Sequence, residues 1–199
     1  MAVVSSRLES ATCGKYTGII YLGLCRLFGT LLAAHRKKLG GRYHLVVPAL
    51  QGLLRPLFIP YAIRTPLIES HLMGKASLGK SHAAAYARLL TTLCSPTVSA
   101  VARPRTNNTR QELNDETKKA RSIAGQHLPY VIMDYCTCQL KGRLLPEMKT
   151  ALDPGLYAML DVVQPEVMRT MNAAMDSTSR SIFKALYEEY KRLGSGRRS

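Results

Sequence analysis

Several residue types are scarce in this chain of 199 residues, and each scarcity narrows its structural class. Tryptophan is absent and only three residues are phenylalanine, which disfavours a β-sandwich with an aromatic-rich core. Leucine and alanine dominate instead, and both favour helices. The five cysteines are an odd number without a repeated spacing, so the sequence indicates a reducing compartment rather than a disulfide framework.

Acidic residues are also few, and the shortage lies in the first half of the chain. The formal net charge is +15, from 28 Lys or Arg against 13 Asp or Glu. Residues 1–110 contain fifteen basic residues and two acids, whereas residues 111–199 contain thirteen and eleven. This asymmetry indicates a neighbouring polyanion, either nucleic acid or an acidic protein surface. The alternative is a solvated surface within a long and otherwise acidic protein.

Apolar residues recur at helical spacing through most of the chain. The pattern and its prolines predict helices over residues 15–39, 43–57 and 81–93, a long helix from residue 111 or 117 to 141 with a kink near Pro129, and short helices that begin at Pro146, Pro154 and Pro165. Residues 60–80 are expected to form a loop. Residues 95–110 contain Pro, Arg and Asn without periodicity, which favours a flexible linker. We expect residues 1–199 to form one all-α domain.

The C-terminal segment has the clearest amphipathic pattern, with apolar residues at three- and four-residue intervals. Asp176 and the serines that follow it supply N-cap chemistry, and Gly194 suits the helix end. We expect the apolar stripe to pack as core against the helix that contains Tyr130, Ile132 and Met133. If exposed, it would instead form a docking surface for a partner. The four residues of this stripe that matter most are Phe183, Leu186, Tyr187 and Tyr190.

One string suggests an enzyme. Residues Gly74 to Ser81 match the Walker A pattern, and residues 130–134 end in an aspartate as a Walker B strand does. In a P-loop NTPase, Lys80 would reach the terminal phosphates, and Ser81 with Asp134 would hold Mg²⁺. That mechanism needs a strand before the loop and a parallel sheet behind it, and neither segment has strand patterning. We therefore expect no enzymatic activity and no cofactor, with the P-loop NTPase as the alternative.

Residues 16–34 contain a single charge, Arg26, and a basic segment follows them, so their length suits a membrane span. Arg26 near the middle would cost about 2.5–3.5 kcal/mol in a bilayer, and a buried helix needs the same apolar composition. We expect no membrane contact. A metal site is also disfavoured, because Cys136 and Cys138 would point about 200° apart on a helix. Nothing in the sequence indicates a small-molecule substrate.

Two basic clusters are candidate contacts for nucleic acid or an acidic partner. Such contacts hold phosphates without reading base sequence, and they would make the chain a direct RNA-binding module through its basic first half. The first cluster is equally typical of a helix end, where cations suit the helix dipole, whereas the second lies in the linker and is of the kind that orders on RNA. The clusters are Arg36, Lys37, Lys38 and Arg42, and Arg103, Arg105 and Arg110.

Strings along the chain also resemble a known family, in the order in which they occur there. The strongest are Met171-Asn-Ala-Ala-Met-Asp-Ser177 and Ile182-Phe-Lys-Ala-Leu-Tyr-Glu-Glu-Tyr-Lys191, and residues 35–39, 86–97, 120–130 and 154–157 also match. They resemble the C-terminal domain of the fungal nucleolar protein called unhealthy ribosome biogenesis protein two, a large pre-rRNA processing factor. The resemblance covers about residues 36–194. Since family members are very long, it implies that this chain is a C-terminal fragment.

The resemblance implies a setting rather than an active site, because the family has no assigned catalytic residues. It implies a non-enzymatic scaffold in the nucleus and nucleolus that serves early assembly of the large ribosomal subunit (pre-60S) and pre-rRNA processing. Its partners would be other large-subunit assembly factors, with pre-rRNA or the pre-ribosomal particle nearby. Together with the helical pattern, it predicts antiparallel helix pairs in an α-solenoid-like array of the armadillo or HEAT kind.

Overall fold

The computed structural model describes residues 2–35, 42–61, 78–95 and 118–195. These residues are overwhelmingly helical, which confirms the all-α prediction. The solenoid-like array stays a prediction. The linker also stays a prediction, because residues 96–110 lie outside the described part. The helices are α1 (Ala2–His35), α2 (Tyr43–Leu54), α3 (Lys80–Cys94), α4 (118–127), α5 (Pro129–Lys141), α6 (Pro146–Leu160), α7 (Pro165–Ala174) and α8 (Ser177–Ser195).

Most helix ends fall where proline or capping chemistry predicts them. The helix predicted to kink near Pro129 is interrupted at Leu128, and Pro165 begins α7. The second predicted helix ends at Leu54 and continues as a short 3-10 turn, Arg55–Leu57. At the start of α8, the Asp176 carboxylate accepts hydrogen bonds from the backbone N–H groups of Thr178 and Ser179, both at 2.9 Å. These bonds, with the Ser179 hydroxyl as the largest cause, hold the pKa of Asp176 below its usual value.

The prediction of a separate helix that begins at Pro154 is wrong, because Pro154 lies inside α6. An internal proline costs a helix about 3 kcal/mol, and burial of the neighbouring Leu152 and Leu156 in the core opposes that cost. The next residue, Gly155, lets α6 lie against α3: a Cβ atom there would come within 2.8 Å of Ala87 Cα. The α3–α6 pair is the most extensive helix contact of the described residues.

A small antiparallel sheet joins two helix ends. Strand β1 (Ile59–Pro60) follows the 3-10 turn, β2 (Gly142–Arg143) follows α5, and Ile59 pairs with Arg143. The Tyr61 N–H extends the pairing by donating to the Lys141 carbonyl at 3.1 Å. Residue 60 therefore belongs to a strand and not to the start of the predicted loop.

Three of the buried tyrosines are among the largest fully buried side chains, and each of their hydroxyls has a partner. Tyr21 of α1 donates to the Leu53 carbonyl at 2.8 Å, and Tyr86 of α3 donates to the Leu50 carbonyl at 2.9 Å. Tyr135 of α5 accepts a bond from the Gln139 amide at 2.8 Å. Burial raises the pKa of Tyr21 and Tyr86 well above the usual value, so both stay neutral and act as donors. The hydrogen bonds of Tyr21 and Tyr86 attach α1 and α3 to α2.

Candidate functional site

The apolar stripe of α8 faces into the protein. Phe183 and Leu186 are 6% and 4% exposed. Helix α8 packs on α5 as the sequence predicts, and Ile132 of α5 is buried. Tyr130 was expected in the same interface, but its side chain is 58% exposed, so that part of the prediction is wrong.

The two tyrosines of the stripe are half-buried and belong to an aromatic cluster with α6. The ring centroids of Tyr187 and Tyr190 lie 5.9 Å apart, and the Tyr190 ring lies 5.8 Å from that of Tyr157. The Tyr190 hydroxyl donates to the Asp161 carboxylate just after α6. Tyr190 therefore joins α8 to α6, whereas Tyr187 contacts rings of α8 and packs against the core.

Most of the predicted basic clusters lie outside the described residues: Arg36, Lys37 and Lys38 of the first, and Arg103, Arg105 and Arg110 of the second. Arg42 is described and exposed, and it stands at the N-cap of α2. The dipole of α2 disfavours a cation at this end. The helix dipole therefore does not explain the Arg42 charge.

The residues of the P-loop-like string do not form a phosphate loop where the structure describes them. Residues 74–77 lie outside the described part, and Lys80 and Ser81 begin α3. The Gly79 N–H donates to His82 Nδ1 at 3.0 Å, which caps α3.

The Walker B interpretation is wrong, because the backbone of residues 130–134 is helical and not a strand. Asp134 forms a two-pronged ion pair with Arg55, with Nη2 donating to Oδ1 at 2.9 Å and Nε donating to Oδ2 at 3.0 Å. The two side chains are only 12% and 16% exposed. This pair joins the end of α2 to α5 and accounts for the aspartate.

Helix α1 has an apolar face that the described part of the chain leaves uncovered. Tyr21, Cys25 and Leu32 face the core, while four large apolar residues point away from it. The segment Tyr16–His35 has a mean hydropathy of 1.6 and is 22% buried, so by length and composition it could cross a membrane. Buried core helices meet the same criterion. The exposed residues are Tyr16 (64%), Ile19 (67%), Ile20 (52%) and Leu27 (61%).

A groove of about 430 Å³ lies between α1 and α3, and two arginines line it. Arg26 of α1 and Arg88 of α3 are both exposed, and neither guanidinium pairs with a carboxylate of the described residues. The interpretation of the sequence used Arg26 only as an energetic cost of membrane insertion, and Arg88 was not among the predicted contacts. The available signal was the absence of acids: residues 16–35, 42–61 and 78–95 contain five Lys or Arg and no Asp or Glu.

The buried cysteines are poor nucleophiles and poor metal ligands. Burial raises the pKa of Cys25, which lines the groove, to about 11, and the nearby Arg88 opposes this rise. Burial raises the pKa of Cys136 and Cys138 to about 12. Since the thiolate is the reactive form, these thiols are inert at neutral pH. The described residues contain no group of three His, Cys, Asp or Glu arranged to hold a metal ion.

Comparison with known proteins identifies a family. No curated protein and no solved structure matches the chain significantly. A family model described as the Urb2/Npa2 family matches residues 1–196, nearly the whole chain, so the chain belongs to the Urb2/Npa2 family, as its C-terminal strings predict.

Proposed function

We propose that this chain is a non-enzymatic helical scaffold that binds other assembly factors during early maturation of the large ribosomal subunit. Membership of the Urb2/Npa2 family implies a role in ribosome biogenesis. The proposal adds a mechanism, which is protein docking on a helical surface, and a place, which is the nucleolus. Its site of action is the pre-60S particle during pre-rRNA processing.

The exposed apolar face of α1, formed by Tyr16, Ile19, Ile20 and Leu27, carries the proposal. Contiguous exposed apolar side chains mark interaction surfaces in soluble proteins, and a helical face of this kind accepts an amphipathic helix. Residues 16–35 contain no acid, and Arg26 borders the face. The occupant is therefore a helix of another assembly factor, with an apolar stripe bordered by acidic residues.

The test compares α1 with an equally exposed apolar residue elsewhere. The variant Ile19→Gln/Leu27→Gln removes two side chains of the face, and Leu45→Gln on α2, 64% exposed, is the control. Because all three residues are exposed, all variants should unfold within about 0.5 kcal/mol of the parent. We expect the double variant to lose co-sedimentation with pre-60S particles from nuclear extracts, and the control to retain it.

A photo-crosslinking amino acid at position 19 identifies the occupant. The proposal expects crosslinks to one assembly factor, within a helix that has acidic residues beside an apolar stripe. Unchanged co-sedimentation of the double variant would refute the docking face. Flotation of the chain with liposomes, lost in the double variant, would show that the face meets a membrane instead.

A further inference from the structure

We propose that the groove between α1 and α3 binds the phosphodiester backbone of RNA, with Arg26 and Arg88 as its phosphate contacts. This goes beyond protein docking and is tested with different residues, although the groove and the exposed apolar face adjoin each other on α1. By helical spacing, the groove residues Arg26 and Gly29 lie on one side of α1, and the exposed face adjoins it: Ile20 lies about 120° from Arg26 around the helix, and Ile19 about 20° from it.

Uncompensated charge is the first support. Residues 16–35, 42–61 and 78–95 contain five Lys or Arg and no acid, and two of the five, Arg26 and Arg88, reach the groove from different helices. In contrast, Arg55 of the same segments pairs with Asp134, and two basic side chains of the second half form ion pairs, Lys149–Glu189 and Arg169–Glu166. Two unpaired guanidiniums on one groove create a positive field that an anion would neutralise.

The lining chemistry is the second support. Ser81 and Thr92 line the same groove as the two arginines. The Thr92 hydroxyl donates to the Arg88 carbonyl at 2.8 Å, so Ser81 is the hydroxyl donor that we assign to a phosphate, and Arg with Ser is a common set of phosphate contacts in nucleic-acid interfaces. Ser81 lies in the first turn of α3, where the helix dipole adds positive potential. Gly29 leaves open space in the wall, since a Cβ there would meet nothing within 4 Å. A volume of about 430 Å³ is within the range of ligand sites.

Two features favour RNA over an acidic protein. The groove combines a serine with two arginines, which suit a tetrahedral phosphate with several acceptor oxygens, and the family acts in ribosome biogenesis, where RNA is the abundant polyanion. Among the described residues, no aromatic side chain lines the groove, so these residues offer bases no ring on which to stack. Binding should therefore be sequence-tolerant and dependent on salt.

The test measures binding of the 199-residue chain to a fluorescent 20-nucleotide poly(U) RNA by anisotropy, at several salt concentrations. The variant Arg26→Gln/Arg88→Gln removes the two contacts, and Arg121→Gln/Arg143→Gln removes the same charge at exposed sites outside the groove. We expect the groove variant to raise the Kd at least about tenfold. Its slope of log K against log salt should fall by about 1.4, from about 0.7 for each phosphate contact.

A second pair of variants separates shape from charge. Gly29→Leu fills the groove without changing the charge, and Gly23→Leu adds the same side chain where α1 also has open space. We expect Gly29→Leu to weaken RNA binding and Gly23→Leu to leave it unchanged. The circular dichroism spectrum and urea midpoint of every variant serve as the check on folding.

Three outcomes would overturn the proposal. Equal losses in the groove variant and the Arg121/Arg143 control would show diffuse charge attraction without a site. Unchanged poly(U) binding in both Arg26→Gln/Arg88→Gln and Gly29→Leu would exclude the groove. Tighter binding of a 20-residue poly-glutamate peptide than of RNA, lost in the groove variant, would assign the groove to an acidic protein. The α1 docking face is tested separately, with Ile19 and Leu27.

Discussion

Helices α1 and α8 are both long and both rich in apolar residues, yet they use them differently. In α8 the apolar residues form one stripe, the other faces are polar, and Phe183 and Leu186 are buried. In α1 apolar residues occur around most of the circumference, and Ile19 and Leu27 are more than 60% exposed. An amphipathic helix can bury its single apolar stripe in the core of its own protein. A helix that is apolar all round keeps exposed apolar side chains that can contact a second molecule.

Charges show the same contrast between the two regions. Around α8, Lys149 pairs with Glu189 at 2.8 Å, and Asp176 caps the helix. Around α1, residues 16–35 and 78–95 contain three Lys or Arg and no acid. Lys149 and Asp176 thus have partners within the chain, whereas the Arg26 and Arg88 guanidiniums pair with no carboxylate of the described residues.

The largest expected effect contrasts the buried stripe with the exposed face. Truncation of Phe183 to Ala should lower the free energy of unfolding by about 3–5 kcal/mol, the range for a buried Phe. Leu27→Ala on α1, 61% exposed, should change it by no more than about 0.5 kcal/mol. Urea denaturation of the purified chain measures both values.

Similar losses for the two variants would mean that α1 is buried as α8 is. An unchanged Phe183→Ala would mean that the α8 stripe contributes to binding rather than to the core. In that case, loss of an assembly factor in a binding assay with the purified partner would identify α8 as an interface.

A smaller effect is expected where the two regions meet, at the ion pair between Arg55 and Asp134. Asp134→Ala leaves the Arg55 guanidinium largely buried and without its partner, which should lower the free energy of unfolding by about 3 kcal/mol. The control is Glu166→Ala, which breaks a pair whose side chains are both 78% exposed and should cost at most about 1 kcal/mol.

The double variant Arg55→Met/Asp134→Leu sharpens this comparison. It removes both charges and keeps the volume, so it should recover most of the stability that Asp134→Ala loses. Asp134→Ala could instead lower the free energy of unfolding no more than Glu166→Ala does. The Arg55–Asp134 pair would then not hold the two regions together, and the packing of α2 on α5 would do so instead.

The sequence predicts the helices well where one local signal suffices. Helix α7 begins at its proline, and α8 has a polar face and an aspartate cap, so periodicity and capping place both. Pro154 misled the prediction, because tertiary packing of α6 on α3 through Gly155 is not visible in local sequence. The two-residue strands were missed for a related reason: they exist only because the ends of α2 and α5 lie side by side.

The candidate surfaces were less predictable than the fold. The basic clusters were chosen by density along the sequence, which does not reveal that Arg26 and Arg88, 62 positions apart, line one groove. Likewise, the apolar content of residues 16–34 could not indicate which side of α1 is covered. Composition shows the charge asymmetry. The packing of α1 on α3, which composition does not show, places Arg26 and Arg88 on one groove.

The smallest expected effect concerns a carboxylate of the second region whose charge is not fully satisfied. Among the described residues, the Asp153 Oδ1 atom is buried without a hydrogen-bond partner. Burial raises the pKa of Asp153, Lys149 opposes the rise and Glu189 adds to it. Because the pKa is raised in the folded state, ionised Asp153 disfavours folding. The stability from its protonated form is fully present below the unfolded pKa of about 3.9 and is lost as pH rises through the folded pKa.

We therefore expect Asp153→Asn to be more stable than the parent at pH 7, by less than about 1 kcal/mol, since the site is only partly buried and Lys149 screens the charge. The difference between the two should shrink as the pH falls through the raised folded-state pKa of the parent carboxyl. Urea midpoints from pH 4 to 7 measure this, with Glu188→Gln on the exposed side of α8 as a control for loss of one negative charge. A variant less stable than the parent at pH 7 would show that Asp153 contributes a favourable charge contact to Lys149. The charges of the second region would then be satisfied more completely than its buried oxygen indicates, and the contrast with the unpaired arginines of α1 and α3 would widen.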